Sequence, residues 1–169
     1  MKTLRMTILT IFVLFVTAGA YAADATKIGY VDLSRLFDEY YKTKDYDVVL
    51  EGKHKDFEKD RNAKIDAIKE AEGKLNLLAA DKKASAEQSV EKMKADLLDY
   101  DRQKKADLTK ERNEKIREIL LEIEKIVGDY ANAQGFNMVL NDRVLIFGAK
   151  TLDVTEPILK KLNENQPKK

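Results

Sequence analysis

The chain has 169 residues, 36% of them charged and 44% hydrophobic, with 2 prolines, 7 glycines and neither cysteine nor tryptophan. That is one domain's worth of chain, and with aromatics at 8% it cannot enclose a core as rich as an ordinary enzyme's, so it must be elongated or borrow core from a partner. Basic and acidic residues nearly cancel, 31 against 30, which excludes the electrostatic footprint that binding a nucleic-acid backbone requires.

Residues 1–22 read as an export signal. Lys2 and Arg5 make a positive start, residues 6–16 are apolar, and Ala20-Tyr21-Ala22 has the small-residue spacing of a signal-peptidase site. Cleavage is expected after Ala22. A membrane anchor would need about 20 apolar residues, and Thr17 and Gly19 cut this run short. Losing Lys2 and Arg5 moves the net charge from +1 to −1, so the processed chain, expected to be soluble and free of disulfides, does not bind by bulk charge.

Residues 28–33, Ile-Gly-Tyr-Val-Asp-Leu, are β-branched and aromatic and of strand length, followed by Ser34 as a helix N-cap. Between 34 and 134 there is no proline, the residues favour helix, and Gly135 stands where a C-cap belongs. About half of residues 51–118 are charged in nearly equal numbers of each sign. Yet Ala86, Val90, Met93, Leu97, Tyr100, Leu108, Ile116, Ile119, Ile123, Ile126 and Tyr130 keep steps of three and four, with Lys104 and Arg112 in the missing places. This is one narrow apolar stripe of coiled-coil type. Acid-then-base pairs four apart support it: Glu51 with Lys55, Asp60 with Lys64, Glu70 with Lys74, Asp101 with Lys105, Glu111 with Lys115. A capless periodic run of this length folds back on itself, and equal halves put the turn at Ala84 and Ser85.

Residues 137–140 and 143–147 are two apolar runs joined by Asn141-Asp142, the pattern of a β-hairpin. Residues 152–157 then supply caps and a first-turn proline for a last helix over 158–163. Three short strands make a sheet too small to stand alone, and residues 116–127 are apolar on more sides than one hairpin partner covers. Association of several copies through strands and helix roots answers both. The expected fold is α+β, a long α-helical coiled-coil hairpin projecting from a small β body completed by oligomerisation. Residues 23–33 and 136–169 form the body, and residues 34–135 form the arm, with its tip near 79–86. Ile28, Val31, Val139, Leu140, Val144, Ile146, Ile119 and Ile123 are the candidate subunit contacts.

Catalytic chemistry finds few parts. His54 is the only histidine and Ser34, Ser85 and Ser89 the only serines, too few for a nucleophilic triad or, without cysteine, for a usual zinc set. Gly148-Ala149-Lys150-Thr151 lacks the glycine spacing of a phosphate loop and reads as a polar connection. Asp99 with Asp101, and Glu122 with Glu124, sit two apart on opposite sides of a helix and cannot converge on one bond. No enzyme, cofactor or metal site is expected.

At residues 27–32, Lys-Ile-Gly-Tyr-Val-Asp, at 135–140, Gly-Phe-Asn-Met-Val-Leu, and at Asp153-Val154-Thr155, the chain resembles the Skp (OmpH) family of periplasmic chaperones. The resemblance covers the whole processed chain and lies in the order of its segments. It implies a homotrimer whose strands form a central barrel and whose arms enclose unfolded outer-membrane proteins without ATP, in the periplasm. The near-neutral charge departs from the basic arms of that family. Lys82, Lys83, Lys92 and Lys94 are interleaved with Asp81, Glu87 and Glu91, so direct contact with lipopolysaccharide or membrane is not expected. A coiled-coil envelope spacer or adaptor is the alternative.

Overall fold

In the computed structural model, residues 26–167 are described; the export signal expected over 1–22 lies outside them. Strand β1 (Ile28–Val31) leads into a short helix α1 (Leu33–Glu39), a long helix α2 (Tyr41–Leu75) and a longer one, α3 (Ala80–Gln134). Strand β2 (Met138–Asn141), two 3₁₀ turns at Asp142–Val144 and Lys150–Leu152, and helix α4 (Thr155–Asn163) complete the chain. The fold is α+β as expected: a long helical hairpin on a small base.

β1 and β2 pair in parallel, with Ile28 opposite Met138 and Val31 opposite Asn141. Parallel strands need a long crossover, and here the entire helical hairpin is that crossover. The main chain of Asn137 donates to the Lys27 carbonyl at 2.8 Å, and the Asn137 side chain accepts from the Lys27 amide at 2.7 Å, closing the near end of the pair. On the other side of β1, Tyr30 bridges Asp153, and the Val154 amide reaches the Tyr30 carbonyl at 2.9 Å.

The expected third strand does not form. The Asn141 side chain instead accepts from the Arg143 amide at 3.2 Å, and the Leu145 amide donates to the Asp142 carbonyl at 2.9 Å, closing a 3₁₀ turn. A two-residue hairpin of the primed type needs positive φ, and among the described residues only Gly135 has it. Residues 145–147 therefore leave the sheet without a strand partner among the described residues.

Three helix limits also differ from expectation. Asp32, not Ser34, caps α1, its carboxylate accepting from the Arg35 amide at 2.8 Å. The helix breaks at Tyr40, whose ψ of 129° is extended, and Asn163 spans the break. Its side-chain oxygen accepts from the Tyr41 amide at 2.9 Å, and its nitrogen donates to the Glu39 carbonyl at 3.3 Å. The arm turns at residues 76–79, upstream of Ala84 and Ser85. The equal-halves reading counted 34–39 as arm, whereas Leu33–Glu39 folds as a separate helix against the base. Gly135 does close α3, at φ 70°, a left-handed conformation that costs a side-chain-bearing residue about 1 kcal/mol or more. A Cβ at Gly29 would stand 2.9 Å from the Phe136 ring, so the strand needs glycine for that ring to lie against it.

The core sits where the arm meets the base. Val31, Leu36, Tyr40, Tyr46, Ile119, Ile123, Val154, Ile158, Leu159 and Leu162 are buried together. At about 1.5 Å per residue, the 35 residues of α2 span some 50 Å and the 55 of α3 some 80 Å; the surplus of α3 carries Ile119 and Ile123 into the base. Ile123 is wholly buried, and truncating such a residue leaves a cavity. Ile123→Ala is expected to cost about 2–5 kcal/mol, read as a lower denaturant midpoint at fixed protein concentration.

Candidate functional site: a two-helix arm with exposed apolar side chains

The seam between α2 and α3 is thin. Away from the base only Phe57, Ile68 and Val90 are buried in it, and Phe57 stacks on Tyr100 at 5.9 Å between centroids. Charge takes over where apolar residues are missing. Lys42 pairs with Glu122 at 2.5 Å, Arg61 with Asp101 at 3.0 Å, Lys94 with Glu72 at 2.9 Å, and Lys53 with Glu111. These pairs cross from one helix to the other and hold the register of the arm. Most are partly exposed, where each contributes little by itself.

Of the five acid–base pairs expected within a helix, Glu51–Lys55 and Glu70–Lys74 form, both at 2.6 Å. In the other three the acids serve the seam instead: Asp60 accepts from the Tyr100 hydroxyl at 3.3 Å, Asp101 takes Arg61 and Glu111 takes Lys53. Asp101 is the most covered of the three, with 17% of its side chain exposed. His54 is exposed, and Ser85 and Ser89 lie exposed in the first turns of α3.

At the arm root, Tyr40, Lys42 and Glu122 form one group. Burial, then the Glu122 carboxylate, pushes the Tyr40 hydroxyl up to about 12. Burial works against ionised Glu122 as well, but the Lys42 ammonium and the Tyr40 hydroxyl outweigh it and hold the carboxyl below its ordinary value. Lys42 is raised, chiefly by its hydrogen bond to Glu122.

Two clefts open along the seam. One of about 520 Å³ at the root is lined by Tyr46 and Val49 with Asp45, Glu114 and Glu118. Another of about 290 Å³ lies mid-arm between Phe57, Tyr100 and Leu108. Large apolar side chains also stand in water along the arm: Val48, Val49, Leu98 and Leu121 on its sides, Leu77 and Leu78 at its tip. Composition-led reasoning passed over these. The signal was in Val48-Val49 and Leu97-Leu98, adjacent apolar pairs that point to different sides of a helix, and in Leu77-Leu78, which lie in the turn between the two helices.

The eight candidate subunit contacts separate into three groups. Ile119, Ile123 and Val31 are buried in the chain's own core. Within the single chain they face inward, packed with Leu36, Tyr40 and Ile158. Val139 packs partly against the same core, and Leu140 is half-buried. Ile28, Val144 and Ile146 are exposed, together with Phe147, Met138 and Leu152. Among the described residues no group of histidines and carboxylates could hold a metal, and no helix is long and apolar enough to cross a membrane.

A long antiparallel helical hairpin, mixed in charge and studded with single apolar side chains, stands on a base joined by one parallel strand pair. The sequence of residues 27–162 matches the family described as Outer membrane protein (OmpH-like). The chain belongs to that family. No curated protein matches it in sequence. In three dimensions it is similar to the crystal structure of a proposed outer membrane chaperone (OmpH-like) from Caulobacter crescentus CB15. The TM-score is 0.76 at 10% identity, over 82% of this chain and 84% of that one. At that identity the likeness is one of fold.

The arm-root group has a pH signature. Folding keeps the Tyr40 proton, so its contribution to stability is complete below about pH 10 and is lost as pH rises through about 12. Tyr40→Phe should flatten the fall in unfolding midpoint over that window, read by circular dichroism across a pH series.

Proposed function

We propose that the chain is an ATP-independent holdase that binds unfolded outer-membrane β-barrel proteins in the periplasm and keeps them from aggregating before insertion. It works as a homotrimer whose arms surround the client. The observation that carries this reading is the arm itself, built from helices of 35 and 55 residues whose exposed Val48, Val49, Leu98 and Leu121 are set singly or in pairs among charges of both signs. Membership of the OmpH-like family, and a fold shared with a proposed outer membrane chaperone, support it.

The chemistry of the client matches. A barrel strand in water presents alternate apolar residues and open backbone edges. An arm with isolated apolar contacts and dense charge meets such a chain at many weak points, none of which holds it permanently. A holder that binds only the unfolded form lowers its free concentration by mass action, and release follows when the client folds elsewhere. The small net charge of the processed chain, −1, leaves capture to these short-range contacts.

The processed protein, in molar excess, should suppress turbidity when an unfolded barrel protein is diluted from denaturant; unchanged turbidity overturns the reading. Replacing Val48, Val49, Leu98 and Leu121 together by Ser removes exposed apolar area from the arm alone. Client affinity should then fall by roughly tenfold or more with helicity unchanged, by titration against a labelled client. A single stoichiometric folded partner in place of unfolded clients would favour the spacer or adaptor alternative.

A further inference from the structure

The root cleft of about 520 Å³ between α2 and α3 holds charge that the fold leaves uncommitted. Of its lysines, Lys42 is tied to Glu122 at 2.5 Å and Lys115 to Glu118 at 2.8 Å. Of its acids, Glu111 is taken by Lys53. Two lining carboxylates remain, one from each helix. Asp45 makes no ion pair among the described residues, and Glu114 has only the exposed Lys110, 4.0 Å away.

An orphaned polar group stands beside them. Tyr46 lines the same cleft and is only 8% exposed, yet its buried hydroxyl oxygen has no hydrogen-bond partner among the described residues. Burial, then the Glu111 carboxylate, pushes that hydroxyl up, so it keeps its proton. A buried polar group left unpaired is unfavourable, and its presence in a native fold calls for a partner from outside the chain. The rest of the wall is apolar, made by the Tyr46 ring and exposed Val49. The mid-arm cleft differs on both counts: its Tyr100 hydroxyl donates to Asp60 at 3.3 Å, and Lys104 stands among its acids.

We propose that the root cleft is a subsite for a lysine or arginine side chain of the unfolded client, its stem along Tyr46 and Val49, its cationic head between Asp45 and Glu114, and the Tyr46 hydroxyl as a further partner. The proposal rests on the holdase reading above and says which client residues the arm root selects. Long basic side chains bury an apolar stem while the charged head stays near water, which is what an apolar wall under an acidic mouth accommodates. A carboxylate would be repelled there, and a wholly apolar side chain would strip water from Asp45 and Glu114 without replacing it. A barrel strand alternates polar and apolar residues, so it presents basic side chains singly, with apolar neighbours left over for exposed contacts such as Val48.

The test titrates the full processed chain with labelled peptides of alternating polar and apolar residues, identical except that the polar positions are arginine, serine or glutamate. The arginine peptide should bind about tenfold or more tighter than the serine peptide, and the glutamate peptide weakest. Asp45→Asn with Glu114→Gln should abolish that preference and leave serine-peptide affinity as it was. Glu58→Gln with Asp96→Asn, exposed acids elsewhere on the arm, makes the same change in net charge and should keep the preference. Tyr46→Phe removes only the orphaned hydroxyl, so helicity should hold while arginine-peptide affinity falls about threefold.

The subsite is overturned if the arginine peptide has no advantage, if its advantage survives Asp45→Asn with Glu114→Gln, if the control pair removes it equally, or if Tyr46→Phe leaves its affinity unchanged. In each of these cases continued suppression of barrel-protein turbidity leaves the holdase reading standing. Unchanged turbidity together with no binding of any peptide overturns both. A change in native mass on Asp45→Asn with Glu114→Gln would assign the cleft to a contact between copies, and the proposal would fail.

Discussion

The parallel pairing of Ile28–Val31 with Met138–Asn141 is the constraint on which the molecule depends. Four residues on each side bring together the two ends of an excursion of about a hundred residues, and a parallel pair has no short way to be joined. The excursion must be long, and with this composition it must be helical. Because both ends return to one small base, the helices run antiparallel and project as an arm. The pair is too slight to hold by itself. It is backed by α1, the last turns of α3 and α4, which pack Leu36, Ile119, Ile123 and Ile158 beneath the strands. The base is in effect a clamp that closes the crossover.

Along the arm the balance of forces changes. Near the base apolar burial sets the packing; beyond Tyr46 it thins to single residues, and cross-helix ion pairs keep the register. Such an arm spends few apolar residues on itself, which leaves Val48, Val49, Leu98 and Leu121 free at its surface. The same economy that makes the arm weakly packed gives it contacts to offer, and it is the feature on which the proposed holding of an unfolded chain rests.

What could be read in the residues was set by local periodicity and local chemistry. Steps of three and four announced the helices, Gly135 announced the end of α3, and the β-branched run at residue 28 announced β1. The order of these segments carried the family resemblance. Where the reading failed, a distant partner decided. Asp32 rather than Ser34 capped α1, since the strand ends at Val31 and the Asp32 amide is held by the Thr155 hydroxyl oxygen at 2.9 Å. The break at Tyr40 is stabilised by Asn163, more than a hundred residues away. The run 143–147 has strand residues but no strand, because Asn141 turns the chain with its own side chain.

The sequence by itself determined the class of architecture, a charged helical hairpin with strand-forming flanks, because amphipathic period, glycine and cap chemistry act within a few residues. Only the tertiary structure decided that the strands run parallel, that Ile119 and Ile123 belong to the chain's own core, and that Ile146 and Phe147 stand in water. Burial is a relation between residues far apart in the chain. A side chain's type shows that it wants cover, and only the packed fold shows whether the cover is found at home.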